Sequence, residues 1–371
     1  MNKLPNGWTE YKLKDLCVIN YGKGLGKSNI VNGNIPVYSS GGIIGFHNTY
    51  NVNSEGVIIG RKGNAGSVFY SDKPFFCIDT AFYIEPNNQY DLKYLFYKLV
   101  SMNLKNHKTG TAIPGLIRND IYKLSISIPP LDEQKRIASA LSKIDAYLEN
   151  TIKLIEEKER FKRGIAKKLL TCKEDENIPE ARFKGFEGEW EETQILEFVN
   201  NNIIKIEKGK SITKSKIEEG DIPVIAGGKT PPYYHNKYNY NFPCITISAS
   251  GSAGYVWFHD YKIWASDCHV IYTDNKRYNI KFLYHYLKNI QDLIYYLQVG
   301  GVQKHVYAKD LIKLNIPNIT IEEQEKIGGY LSLLDEEIDN LKKQKELIKE
   351  MKRGAMQKLL SGEVRLVDNY D

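Results

Sequence analysis

Gly22-Lys23-Gly24-Leu25-Gly26-Lys27-Ser28 has the composition of a loop that cradles phosphate with backbone N–H groups, its terminal Lys and Ser serving the nucleotide and its Mg²⁺. The spacing defeats that chemistry. A phosphate loop needs a glycine five residues before the Gly-Lys-Ser, where the chain has Tyr21, and a dinucleotide fingerprint needs one at position 27, where it has Lys27. The segment is read as a basic, flexible turn. The seven histidines are scattered without the i, i+4 pairing of a helical metal site, so no metal centre is expected. Ser250-Gly251-Ser252 has no recognisable base partner and no G-x-S-x-G elbow exists, so no catalytic residue is assigned. Cys17, Cys77, Cys172, Cys244 and Cys268 lie far apart without a C-x-x-C pair and read as buried, reduced thiols.

Thr230-Pro231-Pro232-Tyr233 has the outline of the tetrapeptide with which amino-methyltransferases hold a target amino group. That work needs the side chain of Asn or Asp, which Thr230 does not supply, and no early Gly-rich loop suits S-adenosylmethionine, so the stretch is read as a Pro-stiffened turn. What remains is a set of basic, hydroxyl and amide residues in Gly-rich turns. Lys23 and Lys27 answer Lys208 and Lys210; Arg61, Lys62 and Asn64 answer Ser250 and Ser252; Lys108, Thr109 and Thr111 answer Gln303, Lys304 and His305. Lys and Arg neutralise phosphates, whereas Arg, Asn, Gln and Ser read base edges, so this set, with Arg118 and Lys229, is the candidate DNA contact surface.

The mirrored turns belong to a duplication that spans the chain. Trp8 answers Trp190, Ile35-Pro36-Val37 answers Ile222-Pro223-Val224, and Gly63-Asn64-Ala65-Gly66 answers Gly251-Ser252-Ala253-Gly254. Asn119-Asp120-Ile121 answers Lys309-Asp310-Leu311, and Glu133-Gln134 with Ile137 answers Glu323-Gln324 with Ile327. The offset grows from 182 between the tryptophans to 190 between the isoleucines, so small loop insertions separate two copies of one plan. Each copy begins with β-branched and aromatic runs broken by Gly, Asn and Pro, which predicts short strands, and carries one short helix, over 92–102 and 280–296.

Each copy then ends in a stripe of apolar residues at steps of three and four: Ile137, Leu141, Ile144, Leu148, Ile152 and Ile155, and Ile327, Leu331, Leu334, Ile338, Leu341 and Ile348. This is a coiled-coil seam. Asp132 and Thr320 are read as N-caps of helices over 132–170 and 321–360, each about 60 Å long at ~1.5 Å per residue. Two copies of one module pack about a pseudo-two-fold axis, which makes the helix pair antiparallel. The fold class is α+β: two pseudo-symmetric α/β target-recognition domains, each followed by a long helix, the helices pairing as an antiparallel coiled coil. The expected division is a domain over 1–130, a helix over 131–170, a linker over 171–190, a domain over 191–319, a helix over 320–361 and a tail over 362–371.

The formal net charge of +6 agrees with an acidic partner without identifying it. No apolar N-terminal run and no stretch of ~18 apolar residues is present, which predicts a cytoplasmic protein without a membrane partner. Taken in order and twice over, these features resemble the specificity subunit of type I restriction-modification systems. They are Gly7-Trp8, the Ile-Pro-Val followed by Gly41-Gly42 and Gly227-Gly228, the Pro129-Pro130-Leu131 entry with Glu133-Gln134, Lys168-Leu169-Leu170 and Lys358-Leu359-Leu360, and Arg182-Phe183 leading to Trp190. The second helix entry departs from this pattern with Ile316-Pro317-Asn318. The resemblance implies two recognition domains on double-stranded DNA, each reading half of a bipartite target, with helix length setting the gap. It also implies two modification subunits docked on the helices, two ATP-driven restriction subunits, and S-adenosylmethionine, ATP and Mg²⁺ held by those partners and none by this chain. Because the copies differ in most loop residues, the target is expected to be asymmetric. An autonomous DNA methyltransferase and a coiled-coil scaffold without DNA are the rival classes.

Overall fold

The duplication reappears in the backbone as one succession of elements built twice. A computed structural model describes residues 4–108, 115–174 and 176–366. The first copy runs β1 (Thr9–Lys12), α1 (Leu13–Leu16), β2 (Asn20–Tyr21), β3 (Ile35–Ser39), β4 (Gly42–His47), β5 (Gly56–Gly60), β6 (Val68–Ser71), β7 (Phe76–Cys77), β8 (Ala81–Ile84), α2 (Leu92–Ser101), α3 (Arg118–Tyr122), β9 (Ser125–Ile128) and α4 (Leu131–Leu170). The second runs β10 (Glu191–Gln194), α5 (Ile195–Asn200), β11 (Ile204–Lys208), β12 (Ile222–Ile225), β13 (Tyr233–His235), β14 (Cys244–Ser248), β15 (Val256–His259), β16 (Trp264–Ala265), β17 (Cys268–Thr273), α6 (Ile280–Asn289), α7 (Gln291–Tyr296), α8 (Ala308–Leu311), β18 (Asn315–Asn318) and α9 (Ile321–Ser361).

Sheet orders match strand for strand: β2-β8-β5-β6 and β11-β17-β14-β15, β4-β3-β7 and β13-β12-β16, β1-β9 and β10-β18. The central strands β5 (GVIIG) and β14 (CITIS) are buried along their whole length, which is why they read as continuous runs and not as alternations. In the last pair of sheets the first strand of each copy lies antiparallel to its last and closes the module just before the long helix.

The described residues form two compact units, one within 4–152 and 343–366 and the other within 153–342. Each unit therefore takes part of both long helices, and within each those parts run antiparallel. In the first, Asp145 of α4 pairs with Lys352 of α9 at 2.6 Å, Tyr147 meets Gln344, and Ile137 and Leu141 share a core with Leu359 and Leu360. In the second, Glu159 pairs with Lys342 and Lys158 with Glu337, both at 2.7 Å, while Lys162 engages Asp335. Of the apolar stripe, Ile137, Leu141, Ile155, Ile327, Leu331, Leu334, Ile338 and Ile348 are buried, Ile144, Leu148 and Leu341 are half-buried, and Ile152 is exposed. Among the described residues no helix is long and apolar enough to cross a membrane. The five cysteines are free; burial pushes the thiols of Cys17, Cys77, Cys244 and Cys268 up to about 12.

The Glu-Gln pair at each helix entry ties the module to its helix. Asp91 and Asn279 cap α2 and α6 by accepting from Tyr94 N at 2.8 Å and Phe282 N at 2.9 Å. The caps' own N–H groups donate to Gln134 Oε1 at 2.9 Å and Gln324 Oε1 at 2.8 Å, and the same amides donate back to Pro129 O and Ile319 O. Glu133 and Glu323, buried beside them, each take two bonds from one guanidinium: Arg365 in the first unit and Arg182 in the second. The chain after α9 thus does in one unit what the segment after α4 does in the other.

Two expectations are corrected. α4 begins at Leu131, so Asp132 lies in the first helical turn, where its charge favours the helix dipole, and does not cap; Thr320 does cap α9, accepting from Glu323 N at 3.4 Å. The single helix over 280–296 is two, broken at Ile290 (ψ 23°), which frees Gln291 to accept from Val256 N at 3.1 Å and donate to Gly254 O at 2.7 Å.

The Gly-Lys turns owe their glycines to close packing. A Cβ on Gly22 would sit 2.0 Å from Ile78 O, and one on Gly209 would sit 2.3 Å from Ser266 O, whereas Gly24 has open space. Gly22→Ala is therefore expected to lower stability by about 2 kcal/mol and Gly24→Ala to leave it unchanged, read from urea midpoints; equal midpoints would refute the packing account.

Candidate nucleic-acid interface

β5 and β14 each run out into a turn with two left-handed glycines, Gly63 (φ 73°) and Gly66 (φ 83°), and Gly251 (φ 64°) and Gly254 (φ 85°). The residue that starts the turn is held the same way in both units. Arg61 N donates to Thr80 O at 2.8 Å and Arg61 O accepts from Leu116 N at 2.8 Å; Ala249 N donates to Asp267 O at 3.3 Å and Ala249 O accepts from Val306 N at 3.1 Å. One backbone frame thus presents different side chains.

In the first unit the frame carries two guanidinium groups on an aromatic platform. Arg61 lies 4.9 Å from the Tyr21 ring centre and 5.8 Å from that of Phe82; Arg118, the first residue of α3, lies 4.6 Å from Tyr21. Tyr21 is exposed and meets Phe82 edge-on at 5.1 Å. Carbonyl contacts orient both cations, Arg61 Nη1 donating to Asp79 O at 3.1 Å and Arg118 Nη1 to Ile19 O at 3.3 Å. Lys62 bridges to Gly115, and Lys23 N bonds Cys77 O at 2.9 Å with its side chain exposed.

In the second unit, pairing places Lys208 opposite His269 as Tyr21 stands opposite Phe82, and Ala249 and Ala308 occupy the positions of Arg61 and Arg118. With alanines there, the site is hollow: a cavity of about 470 Å³ lined among others by Asp267, His269, His305 and Tyr307. Ser250 donates to the half-buried Asp267 carboxylate. His269 Nε2 lies 2.9 Å from Val306 O, and its buried Nδ1 has no hydrogen-bond partner among the described residues. His305 stacks on Tyr307 at 6.2 Å, with Lys309 5.4 Å from the same ring.

The structure thus gathers Arg61, Lys62 and Arg118 in one unit and, in the other, Lys208 and His305 around one cavity, with Ser250 bonded to Asp267 of its wall. Lys210 N bonds Ala265 O at 2.9 Å, Ser252 N bonds Gly227 O at 2.6 Å, and Asn64, Gln303 and Lys304 are exposed on their turns. Lys27 starts a short 3-10 turn and Lys108 ends another; Thr109 and Thr111 lie outside the described residues. Lys229 stands elsewhere, 5.6 Å from Tyr255, sharing that ring with Lys288, whose ammonium burial and the nearby Lys162 and Lys229 push down to about 8. Sequence reasoning did not single out Tyr21, Asp267 and His269, which the structure brings into the candidate site. Asp267 stands in the register of Thr80, and no spacing rule announces it.

The model of the type I restriction modification DNA specificity domain matches residues 5–157 and 187–350, once in each copy. The chain is 30% identical over 331 residues to the putative MjaX type I restriction enzyme specificity subunit of Methanocaldococcus jannaschii, covering 83% of this chain and 77% of that one. It is 27% identical to the putative type I specificity subunit S.MgeORF438P of Mycoplasma genitalium, covering 92% and 91%. Among solved structures, a type I restriction-modification S subunit from M. genitalium superposes with a TM-score of 0.74 over 96% of this chain and 97% of that one, at 23% identity.

Proposed function

The chain belongs to the type I restriction modification DNA specificity family, and from that premise we propose that it is the target-reading subunit of such a complex, a cytoplasmic protein with no chemistry of its own. Each unit reads one half of a bipartite duplex target, and the long helices form a spacer that sets the distance between the half-sites. The observation that carries this reading is the shared backbone frame after β5 and β14 bearing unlike side chains, Arg61 and Arg118 against Ala249 and Ala308. One frame with two faces suits two different half-sites, so the target is asymmetric.

Two modification subunits dock on the helices. In support, Phe161 and Met351 stand 53% and 48% exposed, 190 residues apart, at matching places on α4 and α9. S-adenosylmethionine, ATP and Mg²⁺ belong to the modification and restriction subunits on this reading, the latter also two in number. Gel shift of the chain with its modification partner tests it. Binding to a target duplex is expected to fall with salt at a slope of about −0.9 per phosphate neutralised, and Lys62→Ala and Lys304→Ala each to flatten that slope by about 1. Salt-independent binding, or none by the assembled complex, would overturn the reading; so would recovery of a palindromic methylated target.

A further inference from the structure

The two units offer opposite hydrogen-bonding character at one position of the shared frame. The first supplies donors only: the guanidinium groups of Arg61 and Arg118, held against Tyr21, with Lys62 next in the turn. The second supplies carboxylate lone pairs, those that Asp267 keeps after taking one bond from Ser250, in a wall that Lys208, His305 and Lys309 also line. It supplies them around a cavity of about 470 Å³, open because Ala249 and Ala308 replace the arginines.

Base edges in the major groove divide along the same line. Guanine presents two acceptors, O6 and N7, and is met by a guanidinium; cytosine and adenine present an amino group, and cytosine N4 is met by a carboxylate. We infer that the first unit selects a guanine through Arg61 and Arg118, and that the second selects a cytosine through Asp267, which lines its cavity. The inference rests on the reading of the chain as a DNA specificity subunit and adds which base chemistry each half-site presents. Stacking on Tyr21 and the carbonyl bonds to Asp79 and Ile19 act as positioning: they restrict the two guanidinium groups before DNA arrives, which lowers the ordering cost of a bidentate contact. Ser250 does the same for Asp267, fixing one carboxylate oxygen and leaving the other for the base.

The test reconstitutes the full chain with its modification subunit and reads the methylated motif from a randomised duplex library. The expected wild-type motif has two parts, each requiring a G·C pair at a position, with the guanine edge read by the first unit and the cytosine edge by the second. Arg61→Lys and Arg118→Lys keep the charge but lose the planar fork. They are expected to relax the guanine requirement on the order of 10- to 100-fold and leave the other half unchanged. Asp267→Asn replaces a pure acceptor by a group that also donates, and is expected to broaden or shift the required base in the second half only. Melting of each variant complex at the wild-type temperature establishes that the frame is intact; Ser250→Ala, which removes only a positioning contact, provides a milder second-half variant should Asp267→Asn fail to assemble. Folded variants that leave both half-sites unchanged, or that alter the half assigned to the other unit, would overturn the inference. A wild-type complex that methylates no defined bipartite motif would instead overturn the functional reading beneath it.

Discussion

Acidification from pH 7 to about 4 is expected to unfold the second unit ahead of the first. Two imidazoles buried in that unit hold their neutral form. His259, fully buried, has Nε2 2.8 Å from Thr246 Oγ1 and Nδ1 3.2 Å from Tyr261 OH, and burial pushes it down to about 3. His285 has Nε2 3.1 Å from Ser332 Oγ; burial first, then the charges of Lys162 and Lys281, push it down to about 3 as well. The Asp335 carboxylate 4.0 Å from its Nδ1 would act the other way, but Lys162 engages that carboxylate. Both folded values lie below the ordinary ~6.5, so between pH 6.5 and 3 the unfolded chain takes up protons that the folded chain refuses. The contribution is complete above pH 6.5 and is lost as pH falls through that window, at roughly 3 kcal/mol per histidine by pH 4. The matching places in the first unit hold Ser71 and Tyr97, which carry no such load. Three of the four tryptophans, Trp190, Trp257 and Trp264, stand in the second unit, so fluorescence during an acid titration reports mainly on it, and peptide-resolved hydrogen exchange separates the two. His259→Ser should shift the fluorescence midpoint to lower pH. Simultaneous unfolding of both units, with a midpoint indifferent to that substitution, would show that other groups govern the acid response.

The architecture was readable because its requirements are local. Left-handed turns demand glycine at Gly63, Gly66, Gly251 and Gly254, and a buried helix stripe demands apolar residues every three or four places, so the repeat and both long helices announce themselves. The break at Ile290 was hidden because Leu and Tyr continue at helical spacing across it; what turns the chain is a side chain, Gln291, reaching a strand more than 30 residues earlier. The candidate site was legible as a composition and not as a constellation. Arg61 and Arg118 were picked out one by one for their chemistry, but only the pairing of β2 with β8 puts Tyr21 beneath them. Asp267 and His269 were passed over because their meaning comes from what is missing, the side chains that Ala249 and Ala308 do not have. Mirrored turns do not converge on one place: Lys229, chosen by the same reasoning as Lys208, faces Tyr255 and Lys288 and not the cavity.

Glu323 offers the second large effect. Its carboxylate is 2% exposed and receives Arg182 Nε at 2.7 Å and Nη2 at 2.8 Å, while the same guanidinium, 15% exposed, also donates to Glu187 O and Gly188 O. Arg182 therefore ties the helix entry of α9 to the turn that leads into Trp190, itself buried against Phe282 at 6.2 Å. A buried ion pair contributes little relative to an apolar pair of the same size, but cutting one partner leaves a carboxylate in a site that cannot solvate it. Arg182→Ala is accordingly expected to cost about 3 kcal/mol, seen as an earlier urea transition in the second unit's tryptophan fluorescence. Adding Glu323→Gln to that variant removes the stranded charge and should recover part of the loss, which a double-mutant cycle would report as a coupling of one or more kcal/mol. In the first unit Arg365→Ala strips the same two bonds from Glu133, but Arg365 is 25% exposed, so water reaches its place more readily and a smaller loss is expected. Because each clamp is built from residues of one unit, the two losses should add, and each should appear only in its own unit's exchange pattern. Equal stability of Arg182→Ala and the wild-type chain would mean that Gln324 and the Thr320 cap hold the helix entry without the clamp.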